Sequence, residues 1–275
     1  MNVDFDIVPE GEEMWASEAI GKWQKRPVKL ISHTQPTRDF LLDTMLEYNN
    51  ENLNTLIAYC ARVSNPSNQN NQQTVEKLVE YLTKNAHWSP FEMVSCCIEI
   101  NTTRDIARQI LRHRSFSFQE FSQRYANPTQ DLGFEYREAR LQDTKNRQNS
   151  IETTDRELND VWLEKQQAVI RAAKDAYEFA IAQGIAKEQA RAVLPEGLTV
   201  SRMYMSGTIR SWMHYIETRT HSSTQKEHRK IAELCAIEIS QVLPAIMKSV
   251  YVQEPQNNIK LTEHPTIHIR EWIGL

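Results

Sequence analysis

The chain has 275 residues, 40% of them hydrophobic and 25% charged, with a formal net charge of −4. That size and mixture fit one large globular domain and exclude a disordered or membrane-embedded chain. A net negative charge gives no whole-chain attraction for nucleic acid or an anionic membrane, so any anion site has to come from a local arginine cluster.

Residues 1–27 lack a hydrophobic period and are expected to be an N-terminal extension. Asp4, Asp6, Glu10, Glu12 and Glu13 stand where a secretory signal would carry a basic start and an apolar run. No stretch reaches the ~18 consecutive apolar residues of a membrane span. Cys60, Cys96, Cys97 and Cys235 make no CxxC pair that would suggest zinc, and adjacent Cys96 and Cys97 cannot bridge each other without strain. The expectation is four reduced, mostly buried thiols in a cytoplasmic protein with no membrane partner.

The body of the chain, residues 28–253, opens on an alternating stretch from Val28 to Ser32 that predicts a strand. Residues 53–63 and 75–85 have helical spacing, separated by a polar loop from Asn65 to Gln73. Residues 93–101 are rich in strand formers and follow Ser89-Pro90, which predicts a half-buried strand. Thr102, Thr103 and Asp105 form a helix start signal, a threonine cap and an early acid meeting exposed N–H groups, for a helix over 104–113.

Residues 129–155 are polar and poorly periodic, an expected insertion or loop excursion. A long helix over 155–183 follows, ended by Gly184, then a short helix over 186–193 and a weak strand over 198–205. Ile209, Trp212, Met213 and Ile216 recur at i, i+3, i+4, i+7, a buried helical stripe. Ile231, Leu234, Cys235, Ile239, Val242, Leu243, Ile246 and Val250 make a longer one. The tail, residues 254–275, has a short alternating piece at 266–270 that predicts a late strand. Strands and helices mixed in this way predict an α+β fold.

Chemistry concentrates in Arg112-His113-Arg114-Ser-Phe-Ser-Phe-Gln119-Glu120-Phe-Ser122-Gln-Arg124-Tyr125. Polar groups alternate with aromatics, and the planar forks of three arginines suit a phosphate dianion. By itself the segment reads as an anion site or as a basic solvated strip.

The segment resembles the RHRxxSxNxxSxRY signature of the flavin-dependent thymidylate synthases, the ThyX family. Arg112, His113, Arg114, Ser117, Ser122, Arg124 and Tyr125 match, while Gln119 stands where the family usually has Asn. The resemblance extends to His87-Trp-Ser89-Pro-Phe-Glu92, similar to HxxPFEH with Met93 for the second histidine, and to Ala107-Arg108-Gln109. Ala190-Arg191-Ala-Val-Leu-Pro195 is similar to ARxxLP, and the run from Arg210 to Arg219 looks like a family helix in which His214 replaces a common Asn. Gln225 and Glu227 resemble the AQxE element, with Ser223 where a histidine is usual.

The family likeness implies a central, mostly antiparallel sheet packed with helices and unlike a Rossmann domain. It implies conversion of dUMP to dTMP with FAD as cofactor and NADPH and methylenetetrahydrofolate as co-substrates. Gln109, Arg112, Glu120, Ser122, Arg124, Arg191 and Arg219 would contact dUMP, with Arg219 at the pyrimidine and Arg219 and Ser122 as candidate catalytic groups. His87, Ser89, Glu92, Arg112, His113, Arg114, Gln119, Arg210 and His214 would contact FAD. Relatives are homotetramers whose active sites lie between subunits. No cysteine sits in the Pro-Cys-His/Gln setting of cysteine-dependent thymidylate synthases. Ser122 has no histidine fixed beside it by the sequence, which favours binding over nucleophilic attack.

Two other readings stay open. One is a nucleic-acid-binding module in which Arg104, Arg108, Arg112 and Arg114 track phosphates while Phe116 and Phe118 stack on bases. The other is an inactive family member, given Gln119, Met93 and Ser223. A metalloenzyme using His87, Glu92, His113 or His221 lacks the necessary ligand spacing.

Overall fold

The computed structural model describes residues 26–46, 53–253 and 258–260. The opening strand is β1 (Val28–His33), followed by a short helix α1 (Arg38–Thr44) that the spacing did not announce. Its cap is Thr37, whose hydroxyl accepts from the Phe40 N–H. Helices α2 (Asn54–Ala61) and α3 (Val75–Lys84) flank the asparagine- and glutamine-rich loop as expected. Strand β2 (Ser95–Thr103) leads directly into α4 (Arg104–Ile110).

Helix α4 starts where Thr103 and Asp105 predict, but the Thr103 hydroxyl donates to the Asp105 carboxylate and caps no backbone N–H. It also ends early. The His113 N–H turns back to the Ile110 carbonyl at 3.0 Å, so Arg112, His113 and Arg114 occupy a turn instead of the last helical residues. This turn delivers Phe116 to the core and the following residues to β3 (Ser117–Glu120).

Residues 129–155 carry more order than their composition suggests. They hold most of α5 (Pro128–Asp131), capped by Asn127, and a hairpin of β4 (Arg140–Gln142) and β5 (Ser150–Glu152). The hairpin loop is organised by Asp143, whose carboxylate accepts from the N–H groups of Lys145 and Asn146.

Helix α6 (Arg156–Ala182) is long because Asp155 caps it, accepting from the Leu158 N–H at 3.0 Å, and nothing breaks it before Gly184 at φ 73°. Its inner side buries Ile170, Ala173 and Tyr177, while Leu158, Trp162, Val169 and Phe179 on its outer side are 39%, 42%, 49% and 63% exposed. Helix α7 (Lys187–Ala190) and a 3-10 turn at Arg191–Val193 precede β6 (Val200–Thr208), α8 (Ile209–Arg219) and α9 (Lys226–Ser240).

The longer apolar stripe is therefore not one helix: α9 stops at Ser240 and Pro244 opens a 3-10 turn, Pro244–Ser249. Ile239, Leu243 and Ile246 remain buried across the break. Strand β7 (Tyr251–Gln253) pairs with β8 (Asn258–Lys260), and the strand expected at 266–270 lies outside the described residues.

The main sheet has the order β1-β2-β6-β3, every pair antiparallel, in agreement with the α+β expectation. Its register aligns Leu30, Ile98, Met205 and Phe118 in one row and Lys29, Glu99, Tyr204 and Gln119 in the next. Successive rows face opposite ways. The first row packs into the core with α8 and α9, where Ile98 and Met205 are fully buried. The second row stays open, with Lys29, Tyr204 and Gln119 exposed.

Trp212 on α8 anchors the packing. It is fully buried, its indole N–H donates to the Cys96 carbonyl at 3.3 Å, and Phe116 meets it edge-on at 4.8 Å. Burying each such ring contributes about 1.5–3 kcal/mol, so this contact fixes the signature segment against the sheet. Phe116 fits because Gly207 on β6 has no side chain: a β-carbon there would lie 2.5 Å from the ring. Gly207→Ala should therefore displace Phe116 and lower the unfolding free energy by about 1–3 kcal/mol, read from urea denaturation. An unchanged midpoint would refute this packing.

Candidate functional site

Three helix ends converge on the signature turn. The end of α4 contributes Gln109, the end of α8 contributes Arg219, and the start of α9 contributes Gln225, Glu227 and His228. Arg219 Nε donates to His113 Nε2 at 2.8 Å, across more than a hundred positions of sequence. That bond requires a lone pair on Nε2, so His113 is neutral. Its pKa is lowered to about 4, first by burial and then by the charges of Arg219 and His214. Its ring also packs edge-on against Tyr215 at 4.9 Å.

Beside it runs a chain of side-chain hydrogen bonds. His228 Nδ1 meets Gln109 Oε1 at 3.1 Å, Gln109 Nε2 donates to Gln225 Oε1 at 2.8 Å, and Gln225 Nε2 donates to Glu227 Oε2 at 2.9 Å. Glu227 is held by Arg140 through a short bond and by Arg137 at 3.3 Å. Burial alone would push its pKa up. The Arg140 hydrogen bond and the Arg137 charge outweigh it and bring the value down to about 2. Arg137 also pairs with Asp105 at 3.0 Å. Thus the stretch expected as a bland excursion supplies both cations of this cluster.

The remaining expected residues form two further groups. Ser122, Arg124, Tyr125, Lys187 and Glu188 line a shallow cavity of about 330 Å³. In it Arg124 pairs with Glu188 at 3.2 Å, and Lys187 donates to the Tyr125 carbonyl at 2.8 Å. Arg191, exposed, follows four positions after Lys187. Ser122 begins a turn through its carbonyl and has no described base on its hydroxyl. The third group gathers about the first turns of α8: Arg210 pairs with Glu92 of the Ser89–Met93 turn, Ser89 and His214 are exposed, and His87 packs edge-on against Tyr81 at 5.7 Å.

Two expected contacts stand apart. Gln119 belongs to the open face of the sheet, while Glu120 points the other way, accepts from Ser201 Oγ at 2.7 Å and lies 3.5 Å from Arg104. Arg112 and Arg114 are exposed and have no ion-pair partner among the described residues. Among the described residues the expected ligand-binding side chains thus fall into several groups along the chain.

Spacing offered little sign of several of these partners. His228 falls three positions after Gln225, but a lone histidine on an apolar helix face reads as core. Lys187 and Glu188 read as ordinary surface charge. Arg137 and Arg140 lie in a segment without period.

The donor set is suited to anions: Arg112 and Arg114, exposed and without ion-pair partners among the described residues, and the exposed His87, His214 and Gln119 have the chemistry to hold a cofactor that carries a pyrophosphate and a polar planar ring. Thiolate chemistry is disfavoured. Burial raises the pKa of all four thiols, that of Cys96 to about 12 with Cys97 adding to the effect. Among the described residues no group of three or more His, Cys, Asp or Glu gathers to hold a metal, and no helix is long and apolar enough to cross a membrane.

The antiparallel sheet β1-β2-β6-β3 with its packed helices defines an α+β protein outside the Rossmann class. The family model described as thymidylate synthase complementing protein matches residues 44–245. A flavin-dependent thymidylate synthase of Synechocystis sp. is 53% identical over 177 residues, which cover 64% of this chain and 80% of the relative. A probable flavin-dependent thymidylate synthase of Paramecium bursaria Chlorella virus 1 is 44% identical over 225 residues, covering 81% and 97%. Among solved structures, a UMP/dUMP methylase from Streptomyces cacaoi bound with 5-Br dUMP has a TM-score of 0.65 at 24% identity, covering 81% of this chain and 93% of that one, which supports the shared fold. The chain belongs to the family of flavin-dependent thymidylate synthases.

The buried histidine of the cluster gives a test by pH. Burial, then the charges of Arg219 and His113, lower the His228 pKa to about 3. In the unfolded chain the imidazole takes up its proton near ~6.5. Between those values the unfolded state binds more protons, so stability is full above pH ~6.5 and declines as pH falls toward the folded value. His228→Asn should flatten the decline in unfolding free energy between pH ~6.5 and ~5 relative to wild type. Equal slopes would contradict a buried neutral imidazole.

Proposed function

We propose that the chain methylates dUMP to dTMP, with FAD as cofactor, NADPH as reductant and methylenetetrahydrofolate as carbon donor. Membership of the family supports an enzyme of the methyltransferase class. The observation that carries the reading is the junction of the signature turn with Arg219, the 2.8 Å bond to His113, beside Gln109. It gathers residues assigned to flavin, base and nucleotide at one place.

Uracil C5 is a weak nucleophile, and burial, which raises the pKa of Cys96 and Cys235, disfavours their adding to C6 as thiolates. The flavin, when reduced, supplies the hydride equivalents instead. His87, Ser89, Glu92, Arg112, His113, Arg114, Gln119, Arg210 and His214 would hold it. Arg219 would stabilise negative charge developing on the pyrimidine oxygens, a task for a fixed cation in a site sheltered from water. The neutral His113 accepts from Arg219 and so orients its guanidinium. Ser122, Arg124 and Arg191 would hold the phosphate end, with Arg124 exchanging its exposed Glu188 partner for the nucleotide. Glu120 and Gln109 would complete the substrate side.

The three groups of side chains described above become one site if subunits meet, and a homotetramer with active sites between subunits is the arrangement we favour. The exposed apolar outer side of α6 and the open face of the sheet are surfaces suited to such contacts. The nucleic-acid reading is weakened because Arg104 and Arg108 are both paired with Glu196, which withdraws half of its proposed phosphate contacts.

The purified protein should show a flavin absorbance spectrum and oxidise NADPH in a dUMP-dependent manner. A colourless protein that binds oligonucleotides and not dUMP would overturn the reading. Arg219→Ala should keep its flavin and lose about 10²–10³ in turnover, the scale for removing one charge-stabilising donor. Arg124→Ala should weaken dUMP binding by about tenfold with flavin content unchanged, the loss of one charge-assisted contact. Normal turnover in the first or normal affinity in the second would refute the role assigned to that arginine.

A further inference from the structure

Glu227, ionised between Arg137 and Arg140, can only accept hydrogen bonds. Gln225, 2.9 Å away, must therefore present its amide NH2 to Glu227 and its carbonyl to Gln109. Gln109 must then present its NH2 to that carbonyl at 2.8 Å and its own carbonyl to His228 at 3.1 Å. Flipping either amide would set two oxygens or two N–H groups against each other within these distances. At the end of the chain His228 has to donate from Nδ1, which leaves Nε2 as a bare acceptor. The surroundings agree: His228 is fully buried and its Nε2 has no hydrogen-bond partner, a position where an N–H would be a stranded donor.

We propose that His228 is a positioning residue for the nucleotide site: its Nδ1–H locks the Gln109 amide in one orientation, leaving one amide N–H and one carbonyl lone pair of Gln109 for dUMP. The inference rests on Gln109 being a nucleotide ligand. Ring contacts keep the imidazole itself in place, since Tyr215 packs against it at 5.8 Å and His113 at 6.5 Å. Gln109 is thereby held before substrate arrives, so binding does not have to freeze a long, freely rotating amide side chain.

Two measurements on the flavin-loaded protein test this. Histidine-selective nitrogen-15 spectra at neutral pH, with His228→Asn identifying the resonance, should show the Nδ1–H tautomer; the Nε2–H tautomer would overturn the proposal. Titration with dUMP should find binding by His228→Leu weakened about tenfold with flavin content retained, while His228→Asn, whose amide N–H can replace Nδ1–H, stays within about threefold of wild type. Wild-type affinity in the leucine variant, or equal loss in both variants, would overturn it. Should the leucine variant not fold, the tautomer and the asparagine variant decide. A wild-type protein that binds no dUMP would sink the reading of the site itself, an outcome separable from the tautomer.

Discussion

The Glu227 carboxylate has to stay ionised for the side chains around it to point one way. A buried acid alone would take up a proton, and a protonated carboxyl could donate as well as accept. Arg137 and Arg140 prevent that, and both come from the stretch between the signature segment and the long helix. Asp105 in turn holds Arg137, at the first turn of the helix that carries Gln109. The direction of every bond from Glu227 to His228 thus depends on a charge balance assembled from three separate parts of the chain.

The same economy of placement governs the signature segment. Its early exit from α4 frees the arginines from the helix surface, and Phe116, edge-on against Trp212 and close over Gly207, prevents that exit from becoming a loose loop. Polar residues on either side are thereby sorted between the two faces of β3, Gln119 outward and Glu120 toward Ser201 and Arg104. A short strand with alternating residues thus presents neighbouring polar side chains to opposite faces of the sheet.

Much of the framework was legible in the sequence because local signals agreed with packing. The i, i+3, i+4, i+7 stripe from Ile209 to Ile216 gave α8 and its buried face, and Asp155 and Gly184 bracketed α6. Where tertiary contacts overrule local signals, the reading failed. Helical propensity continues past Ile110, but burial of Phe116 ends the helix. Hydrophobic spacing runs on past Ser240, but Pro244 breaks it while leaving the residues buried. The hairpin of 140–152 is held by an aspartate-centred turn and by charges to α9, neither of which has a period. Likewise, the arginine-rich signature residues stood out as a motif, whereas His228 became meaningful only when the fold brought it within reach of Gln109.

The sequestered sulfurs also matter for the conditions under which the protein keeps working. Cys96 and Cys235 are shut inside the core, and the raised pKa values of Cys60 and Cys97 keep their reactive form scarce at neutral pH. Oxidants and alkylating agents attack that form, so they find little purchase here. The fold thus keeps all four sulfurs away from the chemistry that most often inactivates proteins with exposed, low-pKa thiols.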